Sequence, residues 1–110
     1  MLKKVRKSKH LKVSVLIANY NNEQYLKECI DSIKNQNYQD IEIIVHDDGS
    51  SDNSIKKLYK YKNIKIIINK KRTKYGSYNQ MNAFYRAFKK SNGEILFLLD
   101  SDDFFKKNKI

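Results

Sequence analysis

The chain has 110 residues, with 23 Lys and Arg against 12 Asp and Glu and a formal net charge of +11. Single domains hold roughly 100 to 200 residues, which excludes a two-domain arrangement; 40% hydrophobic residues, no proline and three glycines exclude a low-complexity chain. A lone cysteine, Cys29, excludes an internal disulfide and a multi-cysteine metal site, and reads as a core residue in a reducing compartment.

Residues 1–11 hold Lys3, Lys4, Arg6, Lys7 and Lys9 and read as a basic N-terminal tail. No apolar segment of a signal peptide follows it. Attraction to an anionic inner membrane leaflet is the functional alternative for this tail. The remaining basic excess is mostly lysine scattered among many Asn and Ile, as A/T-rich coding produces, and on charge alone a solvated surface and a specific anionic partner both stay open.

Residues 12–110 read as one domain. Lys12 to Ala18 is short, β-branched and apolar, a buried strand that runs into the polar stretch Asn19-Tyr20-Asn21-Asn22. Tyr25, Leu26, Cys29, Ile30 and Ile33 recur at helical spacing, with Asn21 or Asn22 as the expected N-cap and Glu23 in the first turn. Ile41 to His46 is a second strand, closed by Asp47-Asp48-Gly49-Ser50-Ser51-Asp52, a turn that leads to a helix through Ile55, Leu58 and Tyr59. Ile64 to Ile68 is the third strand. A basic loop from Asn69 then reaches a helix whose Tyr78, Met81, Phe84, Tyr85 and Phe88 form the expected core face, with Asn92-Gly93 ending it. Ile95 to Leu99 is apolar throughout and is expected to be buried on both faces. The longest apolar runs, here and at Val15 to Ala18, are far below the roughly 20 residues of a membrane-spanning helix. Strands alternating with helices imply an α/β fold, a Rossmann-like parallel sheet with helices on both faces.

Ligands of such sheets bind at the carboxyl ends of the strands. Those ends carry Tyr20, the pair Asp47-Asp48 and the cluster Asp100-Ser101-Asp102-Asp103. Five carboxylates at one edge repel each other unless cations compensate, and Asp100 and Asp102, at i and i+2, suit one hard cation such as magnesium or manganese whose further ligands are the phosphates of a nucleotide. Tyr20 offers a ring to a base, and Asp48 offers an acceptor to its N–H. Taken singly, the Asp47 to Ser50 run is equally a turn with a helix cap, Tyr20 a half-buried loop aromatic, and His46 a packed strand residue. A phosphatase of the haloacid dehalogenase type wants Thr or Val where Phe104 stands, and a receiver domain wants a lone Asp and a late Lys that this strand pattern lacks. Glycine-rich phosphate loops are absent.

Val13 to Asn21 (VSVLIANYN), Ile41 to Ser54 (IEIIVHDDGSSDNS) and Gly93 to Asp103 (GEILFLLDSDD) together resemble the family-2 glycosyltransferases of GT-A fold. The resemblance covers nearly all of the chain from Lys12. It implies a nucleotide-binding set of Ala18, Tyr20, Asp48, Arg72 and Asp100, with Asp100 and Asp102 holding a divalent metal, manganese or magnesium. Lys74 shares the basic loop of Arg72, and Asn82 resembles the family's Asn ahead of the Gly-Glu pair, at a longer spacing. The implied donor is a nucleoside-diphosphate sugar, by default a UDP-sugar; the implied acceptor is a glycan or lipid-linked hydroxyl, and nucleic acid is not a partner.

The implied reaction is inverting, metal-dependent sugar transfer in the synthesis of a cell-surface polysaccharide or glycan, at a cytoplasmic location or peripherally at the cytoplasmic membrane face. Ala18 replaces the family's usual Pro. The family's catalytic base is expected beyond Ile110, so this chain is expected to carry the donor half only, a truncated GT-A domain; the alternative is a non-catalytic remnant or nucleotide-binding module.

Overall fold

The computed structural model describes residues 11–110. The basic-tail expectation for residues 1–11 therefore lies, apart from Leu11, outside the described residues. Seven elements alternate: β1 (Val13–Asn19), α1 (Glu23–Lys34), β2 (Ile41–Asp47), α2 (Ser54–Leu58), β3 (Ile64–Ile68), α3 (Gly76–Lys89) and β4 (Ile95–Asp100). Every strand pair is parallel, in the order β3-β2-β1-β4. The chain builds outward from β1 on one side and then crosses to β4 on the other, so the β1/β4 seam is the topological switch point where such sheets hold ligands. Among the described residues no helix is long and apolar enough to cross a membrane.

The two-residue period of a strand sorts the core into two layers. Val13, Val15, Ile17, Ile43 and Val45 face Leu26, Cys29, Ile30 and Ile33 of α1, with Leu58 and Phe105 closing the ends. Burying each such aliphatic side chain contributes roughly 1.5–3 kcal/mol. On the other face Leu16 and Ile44 meet Ala87, Phe84 and Ile67. Burial pushes the Cys29 thiol up to about 12, so it is a packing residue with little thiolate character.

Four local expectations are refined or corrected. Asn22 sits at the N-cap of α1 without a side-chain cap bond. The Glu23 N–H instead donates to Asp52 Oδ2 at 3.0 Å, and the Asn53 N–H donates back to Glu23 Oε1 at 3.3 Å. Asn21 adopts φ 51°, which carries its side-chain oxygen away from the helix to accept from the Ser51 and Asp52 N–H groups.

The expected core face of α3 is also rotated. Tyr78, Met81, Tyr85 and Phe88 are exposed, and Asn79, Ala83 and Ala87 are the residues that turn inward. Small residues allow the helix to lie close over β1 and β2, so the bulky stripe is left on the outside. In the same way β4 is an edge strand with only β1 beside it. Leu96 and Leu98, in register with Ser14 and Leu16, share the α3 face but lie to the side of that helix and are exposed; only Leu99 is buried in this strand.

Gly93 does not end α3, which closes at Lys89. It is a close-approach glycine: a Cβ there would lie 2.3 Å from Ser14 Oγ and 2.6 Å from the Ser14 backbone nitrogen. The Gly93 N–H donates to Ser14 Oγ, which donates to Glu42; the Asn92 N–H and Lys65 Nζ also reach the Glu42 carboxylate. Burial alone would raise the Glu42 carboxyl, but these donors together hold it below its ordinary value.

His46 is fully buried on the α3 face, level with Ala18, and its ring nitrogens meet no hydrogen-bond partner of ordinary geometry. Burial first, and Arg86 second, push its pKa below the ordinary 6.5.

Two measurements check these packing assignments. Gly93→Ala is expected to cost about 1–3 kcal/mol in chemical denaturation, whereas Gly76→Ala, with nothing within 4 Å of the added Cβ, is expected to be tolerated. In acid the unfolded chain binds a proton at His46 before the folded chain does, so the His46 contribution to stability is fully present above the ordinary 6.5 and is lost as the pH drops below it. Thermal midpoints against pH are expected to show this fall, and His46→Leu is expected to flatten it down to the carboxylate range.

Candidate functional site

Asp47, the last residue of β2, is fully buried at the carboxyl edge. Its register partner Asn19 donates from Nδ2 to Oδ1 at 2.7 Å, and Ser50 Oγ donates to the same oxygen at 2.6 Å. The Gly49 and Ser50 N–H groups donate to Oδ2 at 3.1 and 2.8 Å. Gly49 adopts φ 78°, and an added Cβ would meet the Asn69 carbonyl oxygen at 2.8 Å, so this turn requires glycine.

The turn presents Asp48 toward β3 and the basic loop. Asn69 Nδ2 donates to its Oδ1 at 2.8 Å, and Arg72 Nε lies 3.4 Å from its Oδ2. The guanidinium carbon of Arg72 is 3.8 Å from the centroid of the Tyr20 ring, a cation–π contact. The loop carrying Arg72 is pinned by buried Asn79, whose Oδ1 accepts from the Thr73 N–H and hydroxyl and whose Nδ2 donates to the Thr73 carbonyl.

Across the switch point, Asp100 ends β4 and accepts from Gln80 Nε2 at 2.6 Å. The next residue, Ser101, is buried, donates its N–H to the Ala18 carbonyl and accepts from Asn22 Nδ2. The ends of β1, β2 and β4 are thereby held together.

Part of this edge lines one cleft of about 380 Å³. It contains Ala18, Tyr20, Asp48, Arg72 and Asp100, together with Gly76, Ser77, Gln80 and Ala83 from the first turns of α3. Asp102 is exposed on the turn after β4 and does not line this cleft. Lys74 also stands outside it, with its Nζ 5.4 Å from the Tyr75 ring centroid. Asn82 is half-buried in mid-helix; Asn79, one turn earlier, is the structurally engaged asparagine. Sequence reading missed Asn79 and Gln80. The signal was present in Asn79, Ala83 and Ala87, which recur at i, i+4 and i+8 as a small-residue stripe.

At the Asp47-Asp48 pair the expected repulsion is answered by protein groups. Turn amides and Asn19 satisfy Asp47, and Asn69 and the Arg72 guanidinium satisfy Asp48, so neither requires a metal ion. Among the described residues no group of three or more His, Cys, Asp and Glu side chains could hold a metal ion.

The model of Glycosyl transferase family 2 matches residues 14–110. The chain belongs to that family. It is 39% identical over 103 residues to an uncharacterized glycosyltransferase of Nostoc sp., covering 91% of this chain and 31% of the relative. It is 37% identical over 100 residues to the glycosyltransferase GlyG of Streptococcus pneumoniae, covering 89% and 32%. The chain thus spans about a third of the length of these two relatives. Residues 1–349 of S. aureus TarS superpose with a TM-score of 0.78 at 29% identity, over 87% of this chain and 29% of that one; TarS has also been solved with UDP and with UDP-GlcNAc. A mannosyltransferase of Pyrobaculum calidifontis, in complex with GDP-Man and Mn2+, shares the fold at a TM-score of 0.75 and 19% identity, over 92% of this chain and 30% of that one.

Asp47→Ala leaves the Asn19 amide and two turn N–H groups without their acceptor. The expected loss is about 3 kcal/mol of stability, read by chemical denaturation.

Proposed function

We propose that the chain forms the donor-binding half of a glycosyltransferase that moves a sugar from a nucleoside diphosphate, by default a UDP-sugar, to a glycan or lipid-linked acceptor hydroxyl. The observation that carries this reading is convergence: an aromatic ring, a buried carboxylate and a second strand-end carboxylate, far apart in sequence, line one cleft at the switch point. A cleft of this volume lies within the range of small-molecule sites. The family membership and the UDP and UDP-GlcNAc complexes of TarS support it.

In this reading the Tyr20 ring takes the face of the base, and Asp48, oriented by Asn69, accepts the base N–H. Ala18 supplies a small floor residue beside the ribose. Asp100 closes the far wall, and the uncapped N-terminus of α3, with Gly76 and Ser77 in the cleft lining and no acidic residue in its first turn, favours a diphosphate.

In this proposal a divalent ion is held jointly by Asp100 at the cleft wall and Asp102 on the adjoining turn. Asp100 and Asp102 offer two hard oxygen donors at i and i+2, and magnesium or manganese completes its sphere with phosphate oxygens when the protein supplies only one or two carboxylates. When bound, the ion supplies positive charge against the leaving diphosphate. Transfer with inversion, in cell-surface polysaccharide or glycan synthesis at the cytoplasmic membrane face, completes the proposal. The carboxylate base that deprotonates the acceptor belongs to no residue assigned in this cleft.

Calorimetric titration of UDP with and without manganese is the test. The chain is expected to bind, Tyr20→Ala and Asp48→Ala are expected to weaken binding about tenfold, and Asp102→Ala is expected to remove the manganese-dependent part. No binding by a folded chain would contradict the reading and leave a remnant that keeps the fold.

A further inference from the structure

The two groups assigned to the base are already engaged by Arg72. Its guanidinium carbon stands 3.8 Å from the Tyr20 ring centroid, which is stacking distance, and its Nε faces Asp48 Oδ2. A planar cation with N–H groups on its edge presents to this slot what a pyrimidine presents: a flat face to the ring and a donor to the carboxylate. A base cannot occupy that ring face while the guanidinium does. We infer that Arg72 is a placeholder for the nucleobase, displaced on binding, and that this displacement makes the cleft discriminate nucleoside diphosphates from bare nucleosides. The inference rests on the nucleotide reading above.

The pinning of the loop locates the movement. Thr73, adjacent to Arg72, is held through its N–H, hydroxyl and carbonyl by Asn79. The backbone therefore stays, and the swing belongs to the Arg72 side chain, about a third of which is exposed while that of Asp48 is nearly buried. Release costs Arg72 a ring contact and a carboxylate partner at once. A nucleoside returns nothing to the freed guanidinium. A nucleoside diphosphate brings, together with its base, two phosphates that a guanidinium pairs with in bidentate geometry. The same residue thus opposes the uncharged ligand and favours the charged one, and its planar fork is the property that does both.

The experiment measures uridine, by competition against labelled UDP, and UDP directly, on the wild-type chain, Arg72→Ala and Arg72→Lys. The variants are expected to stay folded with modestly lowered thermal midpoints, because Arg72 lies outside both core layers and Asn69 still donates to Asp48 when the Arg72 partner is lost. Removing the placeholder is expected to raise uridine affinity about fivefold, the effect of emptying an occupied competent state, while UDP affinity falls. Arg72→Lys, which keeps the charge and loses the planar fork, is expected to gain uridine affinity and to retain more UDP affinity than the alanine variant. If Arg72→Ala weakens uridine and UDP alike, or leaves uridine unchanged, displacement is wrong and Arg72 is an ordinary contact to the base. If UDP binds none of the three folded chains, the nucleotide reading fails and takes this inference with it.

Discussion

The carboxylate of Asp47 organises the edge on which everything else depends. A buried ionised group is tolerated only when its lone pairs are satisfied, and here four donors converge on it from β1, from its own turn and from a serine hydroxyl. That requirement fixes the path of residues 47–50. It forces glycine at position 49, joins the ends of β1 and β2, and orients the next side chain, Asp48, toward Asn69 and Arg72. The acidic pair therefore divides the work. The first carboxylate builds the turn, and the second faces the cleft.

The rest of the cleft follows from the same economy of shared partners. Ser50, which serves Asp47, also receives the Asn21 N–H; Asn21 receives the turn that leads to α2; and Asp52 from that turn caps α1. The loops after β1 and β2 are thus one hydrogen-bonded body. Ser101 extends it to β4 through the Ala18 carbonyl and Asn22. Rigid support of this kind places Tyr20, Asp48 and Asp100 with little conformational freedom left to lose on binding.

Most of the element order was legible in the sequence because β-branched runs and helical spacing are local signals. The position of the cleft was legible because parallel topology sends every strand to the same edge, and Tyr20, Asp48 and Asp100 follow strands. What periodicity cannot report is which face of an amphipathic segment meets the sheet. In α3 the bulky stripe of Tyr78, Met81, Tyr85 and Phe88 gave a stronger pattern than Asn79, Ala83 and Ala87, yet close approach to β1 and β2 selects the small residues. In β4 an all-apolar run suggested a central strand, but strand order is a non-local property, and the edge place leaves Leu96 and Leu98 exposed. The stacking of Arg72 on Tyr20 was equally hidden. The strand ends put Tyr20 near a ligand and the family resemblance put Arg72 there, but that the two occupy each other's contact surface is a three-dimensional relation that neither signal carries.

The central claim is that the carboxyl edge, built around Asp47, is a nucleotide cleft. Amide chemical-shift mapping of the 15N-labelled chain on addition of UDP tests it most directly. The account predicts shifts concentrated at residues 18–22, 47–51, 72–80 and 100–102, with the groove formed by Ile33, Tyr38, Ile41 and Asn63 at the opposite edge unchanged. Shifts confined to that opposite groove, or spread evenly over the lysine-rich surface, would contradict it.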